Sequence, residues 1–298
     1  MEIRQLKHFT AIVQFGSFTA AARSLHIAQS ALSISIKKFE QQLGTRLLKR
    51  DERKVSMTDE GKILYEYAQR ILQQVDDAHL AMNELKGLVK GEVRLGTPSM
   101  TGSYFFPEIV MAFKSHYPNL KMTVVEAGGQ SIRNMLLTGE LDIGVILNRD
   151  IPEGLSVDPL LTSQMVAVVS QHHELSDSSH IRLDTFLQHE LVTFQSGYYH
   201  REFIEQACLT HNFHAQISFE TNLLPMILRI VKCEYAISAL LELVTDQEPS
   251  VRAIPFDPPV PVNLALAWRN DGYLSYANQA FIQFVKNHVS KDAVNMRV

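Results

Sequence analysis

An unbroken helical stretch of about 28 residues divides this chain of 298 residues into three parts. Thr58 followed by Asp59 and Glu60 is a helix start, because the hydroxyl caps free backbone N–H groups and acids suit the first turn. No proline occurs from there to residue 88. Apolar residues recur every seventh position, at Leu64, Ile71, Ala78 and Leu85, with Ala68, Val75 and Met82 beside them.

A helix of this length spans about 40 Å. The 58 residues before it are too few to cover so long an apolar stripe. The pattern therefore favours pairing with the same helix of a second copy. Packing along the chain's own surface is the alternative that it leaves open.

The charge of the chain is unevenly distributed. Residues 1–58 hold ten Lys and Arg against four Asp and Glu, a net charge of +6, whereas residues 91–298 hold 14 against 22, a net charge of -8. The net charge of the whole chain is only -4. A basic segment joined to an acidic one indicates a polyanionic partner for the first, although a merely solvated basic face would look the same.

The first 58 residues have the spacing of a helix-turn-helix. Ser17 is a candidate N-cap of a second helix, and a third helix is predicted from Gln29 to Leu43, closed by Gly44. The polar stretch 49–54 between apolar pairs predicts a two-stranded hairpin, or wing.

The third helix carries side chains suited to reading a duplex. The amide of Gln29 can pair with a base edge, and the short hydroxyls of Ser30 and Ser33 can reach bases or phosphates. Lys37, Arg50 and Arg53 would neutralise phosphates. A small helical packing module without a role in DNA binding is the alternative interpretation.

Beyond Gly91 the pattern changes to strands alternating with helices over more than 200 residues. This alternation predicts a parallel sheet covered by helices. One sheet and two smaller lobes both fit the pattern. The segment from Pro255 to Pro261 is predicted to be an irregular connector.

Two stretches between a strand and a helix are candidates for holding an anion. The first runs from Thr97 to Ser103, and the second from Phe194 to Gly197. Hydroxyls and free backbone N–H groups at helix starts favour a carboxylate, and ligands of open α/β folds bind beyond strand ends. Each hydroxyl could equally be a plain helix cap.

Other chemistry finds little support in the sequence. No nucleophile elbow, phosphate-binding loop or dinucleotide fingerprint is present, so no enzyme activity and no cofactor are expected. His172-His173 and the pair His211 and His214 lack further ligands at metal-binding spacing. Cys208 and Cys233 are interpreted as structural. The sequence shows neither a membrane span nor an export signal, and a cytoplasmic protein is expected.

Three segments closely resemble the LysR-type transcriptional regulators. They are SFTAAARSLHIAQSALS at 17–33, KFEQQLGTRLLKR at 38–50 and TDEG at 58–61. The similarity is dense over residues 1–65 and weaker afterwards, but the order of parts follows the family throughout.

The resemblance implies three domains. They are a winged helix-turn-helix at 1–58, a linker and dimerisation helix at 59–88, and an α/β effector-binding domain at 91–298 that resembles periplasmic binding proteins. Its lobe I would span about 91–162 and 267–298, and its lobe II about 163–266.

The resemblance also implies the site residues. It places Gln29, Ser30 and Ser33 on the DNA-reading helix and Arg53 on the wing, whereas Ile34 stands where many members have Arg. The expected DNA-binding set is Ser17, Gln29, Ser30, Ser33, Lys37, Arg50 and Arg53. The expected effector-binding set is Thr97, Ser99, Met100, Thr101, Gly129, Asn148, Gln195, Ser196 and Thr221.

The sequence thus predicts a regulator that binds double-stranded promoter DNA and responds to a small effector, expected to be anionic, between two lobes. Self-association as a dimer or tetramer is expected, with RNA polymerase as a possible further partner and no membrane partner. The alternative hypothesis is an α/β enzyme acting on a small carboxylate, with the amino-terminal segment serving only as a dimerisation arm. A solute-binding protein conflicts with the missing export signal.

Overall fold

The structure is a computed structural model that describes residues 1–50, 55–85 and 91–295. The chain forms two compact units, Met1–Leu88 and Val89–Val298. Within the described ranges, no helix combines the length and apolar character needed to cross a bilayer.

The first unit is a bundle of helices with a small hairpin. Its elements in chain order are α1 (Ile3–Phe15), α2 (Phe18–Ser24), α3 (Gln29–Leu43), β1 (Leu48–Arg50), β2 (Val55–Met57) and α4 (Asp59–Leu85). The strands β1 and β2 pair antiparallel, as expected for a wing. Gly16 and Gly44 end α1 and α3 with φ angles of 60° and 69°, a left-handed conformation that glycine adopts without strain.

The predicted helix caps are confirmed. The Ser17 hydroxyl accepts a hydrogen bond from the backbone N–H of Ala20 at 3.4 Å, and that of Thr58 accepts from Gly61 at 2.9 Å. Gly61 also lies directly against Leu47, the residue before β1, because an added Cβ atom would stand 2.1 Å from the carbonyl oxygen of Leu47. These contacts fix where α4 begins relative to the wing.

The core of the first unit joins all its helices. Its largest fully buried side chains are Leu6, Phe9, Ile12, Leu32, Ile36 and Phe39. The first half of α4 contributes the buried Ala68, and Tyr65 packs edge-on against Phe9 with ring centroids 6.3 Å apart. Packing on the chain's own surface therefore accounts for the first half of the apolar stripe. In the second half, the Met82 side chain is 53% exposed.

The second unit alternates strands and helices, as predicted. Its elements are β3 (Glu92–Thr97), α5 (Ser99–Tyr104), α6 (Phe106–His116), β4 (Lys121–Glu126), α7 (Gly129–Leu137), β5 (Ile143–Leu147), β6 (Leu155–Ser170), β7 (Ile181–Arg182), α8 (Leu183–Phe186), β8 (Glu190–Thr193), α9 (Tyr199–His211), β9 (Gln216–Glu220), α10 (Leu224–Lys232), β10 (Ser238–Leu241), a 3-10 helix (Glu242–Gln247), β11 (Val251–Arg269) and α11 (Tyr276–Asn295).

The prediction of a parallel sheet holds for only part of the main sheet, which is mixed. The main sheet has the strand order β10-β6-β11-β5-β3-β4, in which β3 pairs parallel with β4 and β5. The long strands β6 and β11 instead run antiparallel to each other, and β11 also pairs antiparallel with β5. Residues 171–250 lie between these two strands in the chain, so their antiparallel pairing is a long-range contact and not a hairpin.

The segment from Pro255 to Pro261 is also not a connector, since it lies inside β11. The pairing of β11 with β6 shifts register between Pro255 and Val260. Proline has no N–H to donate, so the ladder is interrupted there while the chain stays extended. A proline-rich composition alone could not distinguish an irregular connector from a strand with an interrupted ladder.

The long strands join two lobes. One lobe holds β3, β4 and β5 with α6, α7 and α11, and the other holds β8, β9 and β10 with α9 and α10. The strands β8 and β9 form a separate parallel pair, linked to β10 by a bridge between Leu191 and Ile237. The space between the lobes therefore lies beside the segments that connect them.

Candidate effector cavity and nucleic-acid interface

Helix α3 presents a polar face on the surface of the first unit. Gln29, Ser30 and Lys37 are exposed, whereas Leu32, Ile36 and Phe39 of the same helix are buried against the core. The Gln29 side-chain amide donates a hydrogen bond to the Ser33 hydroxyl at 3.2 Å. The predicted contact residues Gln29, Ser30 and Lys37 are thus all on the exposed side of α3, where their hydrogen-bonding groups can turn toward a partner.

The other predicted DNA-binding residues lie elsewhere on the unit. The Ser17 hydroxyl serves as the cap of α2, Arg50 is the last residue of β1, and Arg53 lies outside the described residues. Ile34, the residue after Ser33, is 57% exposed on α3.

A groove on the same unit brings further cations together. Lys37, Arg46 and Lys49 line it, and the Glu40 carboxylate beside them accepts the backbone N–H groups of Leu47 and Leu48 at 2.8 and 3.2 Å. Sequence reasoning counted Arg46 and Lys49 only as part of the overall charge. Their juxtaposition with Lys37 depends on the turn that Glu40 holds.

A cavity lies between the two lobes of the second unit. The centres of water-sized molecules can occupy about 70 Å³ of it, and its whole non-atom space, with the open solvent at its mouth, is about 670 Å³. One lobe contributes side chains from α5, α7 and β5, and the other contributes the start of α9 and the end of β10. The lining consists of Pro98, Met100, Thr101, Gly129, Gln130, Arg133, Ile146, Leu147, Gly197, Tyr198, Tyr199, His200, Glu202, Leu241, Val262 and Leu264.

Three of the nine predicted effector residues line this cavity, namely Met100, Thr101 and Gly129. The Thr101 hydroxyl lies 2.7 Å from that of Thr97, which is buried behind it, and Ser99 is the half-buried first residue of α5. The stretch from Thr97 to Ser103 is therefore not a loop, since α5 begins at Ser99.

The remaining predicted residues fall outside the described lining of the cavity. Asn148 is exposed, as are Gln195 and Ser196 on the loop before α9. Gln195 makes two hydrogen bonds with the side chain of Asn222, at 3.1 and 2.9 Å. The Thr221 hydroxyl accepts the backbone N–H of Leu223 at 3.1 Å.

The two lobes touch at one rim of the cavity. A Cβ atom added to Gly128 would lie 2.6 Å from the carbonyl oxygen of Gly197 in the opposite lobe. Beside this contact, the Tyr198 hydroxyl donates to the Glu126 carboxylate at 3.0 Å. Burial and that carboxylate raise the pKa of Tyr198 to about 12, so it stays a donor.

A second contact between the lobes involves charged groups. The Arg149 guanidinium lies 4.7 Å from the ring centroid of Tyr199 and 4.0 Å from the Glu202 carboxylate. Half of each charged side chain is exposed, so this pair is screened by water and contributes little to stability.

Two polar side chains of the lining stand out because part of each has no partner. His200 is 7% exposed, and neither ring nitrogen has a hydrogen-bond partner. Burial lowers the pKa of His200 to about 4, so its ring is neutral near pH 7. The buried Nε of Arg133 is likewise unpartnered, although its terminal nitrogen donates to the carbonyl oxygen of Arg149 at 2.9 Å.

Sequence reasoning missed both residues. A lone His or Arg within a helix carries no spacing signal, and only the folded chain places Arg133 of α7 and His200 of α9 around one cavity. Among the described residues, no three His, Cys, Asp or Glu side chains cluster as metal ligands would. Cys208 is half-buried, Cys233 is exposed, and both are free thiols.

A helix-turn-helix unit with a polar exposed helix, followed by a two-lobed α/β unit enclosing a cavity, defines a DNA-binding regulator with a ligand-binding domain. Comparisons with known proteins bear this out. The model of the LysR substrate binding domain matches residues 86–290, and that of the bacterial regulatory helix-turn-helix protein, lysR family, matches residues 3–62. The chain therefore belongs to the LysR family of transcriptional regulators.

Individual relatives are similar to this protein in sequence or in structure along nearly the whole chain. The uncharacterized HTH-type transcriptional regulator YwbI of Bacillus subtilis is 32% identical over 296 residues, covering 97% of each chain. A full-length OxyR from Pseudomonas aeruginosa is 21% identical with a TM-score of 0.75, covering 96% of this chain and 95% of its own. Full-length CbnR in complex with its target DNA is 20% identical with a TM-score of 0.66, covering 96% and 99%.

These comparisons confirm the predicted family, the fold class and the function of a transcriptional regulator with an effector-binding domain. The two structural likenesses establish the fold. The relatives are regulators of transcription, which points away from the hypothesis of an enzyme.

Proposed function

We propose that this regulator binds double-stranded promoter DNA through the exposed face of α3, and that a small molecule in the cavity between the lobes modulates this binding. The exposed Gln29 and Ser30 would read or contact the duplex, and Lys37, Arg46 and Lys49 would pair with phosphates. The chain would act as a dimer or tetramer, with no catalytic step.

The observation that carries the DNA-binding part is the division of α3 into two faces. The apolar side chains of α3 pack into the core. Its amide, hydroxyl and ammonium groups face outward, beside a groove that Arg46 and Lys49 also line. The solved complex of CbnR with its target DNA has the same overall fold, which supports this use of the unit.

The regulatory part rests on the position of the cavity. Its walls come from both lobes, so a bound molecule would favour the lobe orientation in which it contacts both. A coupling of about 1–3 kcal/mol between effector and DNA would suffice for regulation. A change of lobe orientation that is transmitted to the paired DNA-binding units would alter how far the operator bends or the spacing of its half-sites.

The test is binding of the full-length protein to the intergenic DNA beside its own gene, followed by fluorescence anisotropy against a scrambled duplex of equal length. We expect tighter binding to the intergenic fragment and a linear fall of log affinity with log salt. Equal affinity for both duplexes and no dependence on salt would refute the proposal. A Gln29→Ala variant should lose preference between duplexes more than it loses affinity for the scrambled one.

A further inference from the structure

The cavity between the lobes is lined mainly by apolar side chains. Met100 and Leu147 come from one lobe and Leu241 from the other, while Val262 and Leu264 belong to β11. Such walls favour a ligand with an apolar body over a sugar or a highly charged metabolite, since polar groups would lose hydration there without gaining partners.

The two unpartnered polar groups lie in opposite lobes. Arg133 belongs to the second turn of α7 and His200 to the first turn of α9. The terminal nitrogen of Arg133 is tethered to the carbonyl oxygen of Arg149, which leaves the Nε–H without an acceptor. Buried donors without acceptors are rare in folded proteins and often mark a site that a ligand completes.

His200 adds a second donor on the opposite wall. Its ring packs against Phe194, with centroids 5.1 Å apart, and this contact fixes the plane of the ring. A neutral imidazole carries one N–H donor, and both nitrogens of His200 lack partners. The starts of α7 and α9 also line the cavity, and helix N-termini favour negative charge.

We infer that the cavity takes a small carboxylate with an apolar body, whose acid group accepts hydrogen bonds from Arg133 of one lobe and His200 of the other. This inference rests on the proposed function and names the ligand class for the same cavity. A carboxylate has two oxygens, so it can accept from both walls at once and hold the lobes together.

The one acidic group in the described lining does not oppose this assignment. Half of the Glu202 side chain is exposed to water, and the Arg149 guanidinium stands 4.0 Å from its carboxylate. Water and that guanidinium screen its charge from the interior. The two tyrosines of the lining, Tyr198 and Tyr199, have a raised pKa and remain neutral.

The first arm of the test compares two probes of the same shape on the wild-type full-length protein. Cyclohexanecarboxylate carries the acid group, and cyclohexanecarboxamide replaces it with a neutral amide. Calorimetric titration should show at least about 10-fold tighter binding of the acid, the effect of a charge-assisted hydrogen bond. Acetate, which lacks the apolar body, should bind at least about 10-fold more weakly than cyclohexanecarboxylate.

The second arm assigns the contacts. Arg133→Gln and Arg133→Lys should each weaken the acid about 10-fold while leaving the amide unchanged, since both remove the Nε–H donor. His200→Phe, which keeps a ring against Phe194, should weaken the acid several-fold. Arg229→Gln, an exposed position on α10 outside the described lining, is the matched control and should change nothing.

The outcomes separate this inference from the proposed function. Equal binding of acid and amide, or no binding of any probe, would overturn the ligand class. So would an acid affinity that survives both substitutions of Arg133. In each of those cases the same protein could still bind its intergenic DNA in a salt-dependent way, and the proposed function would stand. A change of the DNA affinity by cyclohexanecarboxylate would support both.

Discussion

At the scale of single residues, His200 links acidity to the stability of the second unit. Its pKa is about 4 in the folded chain, below the ordinary value of 6.5 that it regains on unfolding. The unfolded chain therefore binds a proton first as the pH falls. The stability owed to neutral His200 is complete above pH 6.5 and is lost between about pH 6.5 and 4.

The measurement is urea unfolding followed by the fluorescence of Trp268, the single tryptophan, which lies in β11 of the second unit. Between pH 7.5 and 4.5 the free energy of unfolding of the wild type should fall by at most about 3 kcal/mol more than that of His200→Leu. Gln206→Leu, at an exposed position on the same helix that carries no titratable group, should keep the wild-type slope. Parallel curves for the wild type and His200→Leu would contradict the assignment.

Lys37 tests the proposed contact with phosphate. Its side chain is exposed on α3 and lines the basic groove. Lys37→Ala should weaken binding to all duplexes alike and reduce the slope of log affinity against log salt by about 0.9 for each contact removed. Arg252→Ala removes one exposed positive charge from the second unit and serves as the control. An equal effect of both substitutions would mean that only net charge matters.

At the scale of elements, the junction of α4 with the wing depends on Gly61. An alanine Cβ would stand 2.1 Å from the backbone oxygen of Leu47, and backbone cannot move aside cheaply. Gly61→Ala should destabilise the first unit by about 1–3 kcal/mol. Thermal unfolding followed by circular dichroism measures this effect. Glu66→Ala, at an exposed position of the same helix beyond its first turn, should leave the midpoint unchanged. Equal midpoints for Gly61→Ala and Glu66→Ala would contradict the close packing of Gly61 against Leu47.

The elements differ in how far the sequence could predict them. Helix α3 runs from Gln29 to Leu43 as predicted, because its apolar spacing and Gly44 are local signals. The antiparallel pairing of β6 with β11 depends on contacts between distant residues, which periodicity does not encode. The same reason hid the candidate pair Arg133 and His200, since each becomes notable only through its unpartnered nitrogens.

At the scale of the whole molecule, two members of the seven-residue rhythm in the second half of α4, Ala78 and Met82, are exposed in the described chain. Met82 is 53% exposed there. A charge at this position should disfavour helix pairing, so Met82→Glu should raise the dimer dissociation constant about 10-fold or more in sedimentation equilibrium. Gln69→Glu adds the same charge outside the rhythm and should have no effect. A wild type that sediments as a monomer of 33.7 kDa at micromolar concentration would contradict pairing.

Whether the polar face of α3 lies against a duplex can be seen in a structure of the full-length protein bound to its intergenic DNA. We expect Gln29 and Ser30 within hydrogen-bonding distance of base edges or phosphates, with Lys37 beside the phosphate backbone. A complex in which this face of α3 points away from the duplex would refute DNA binding through α3.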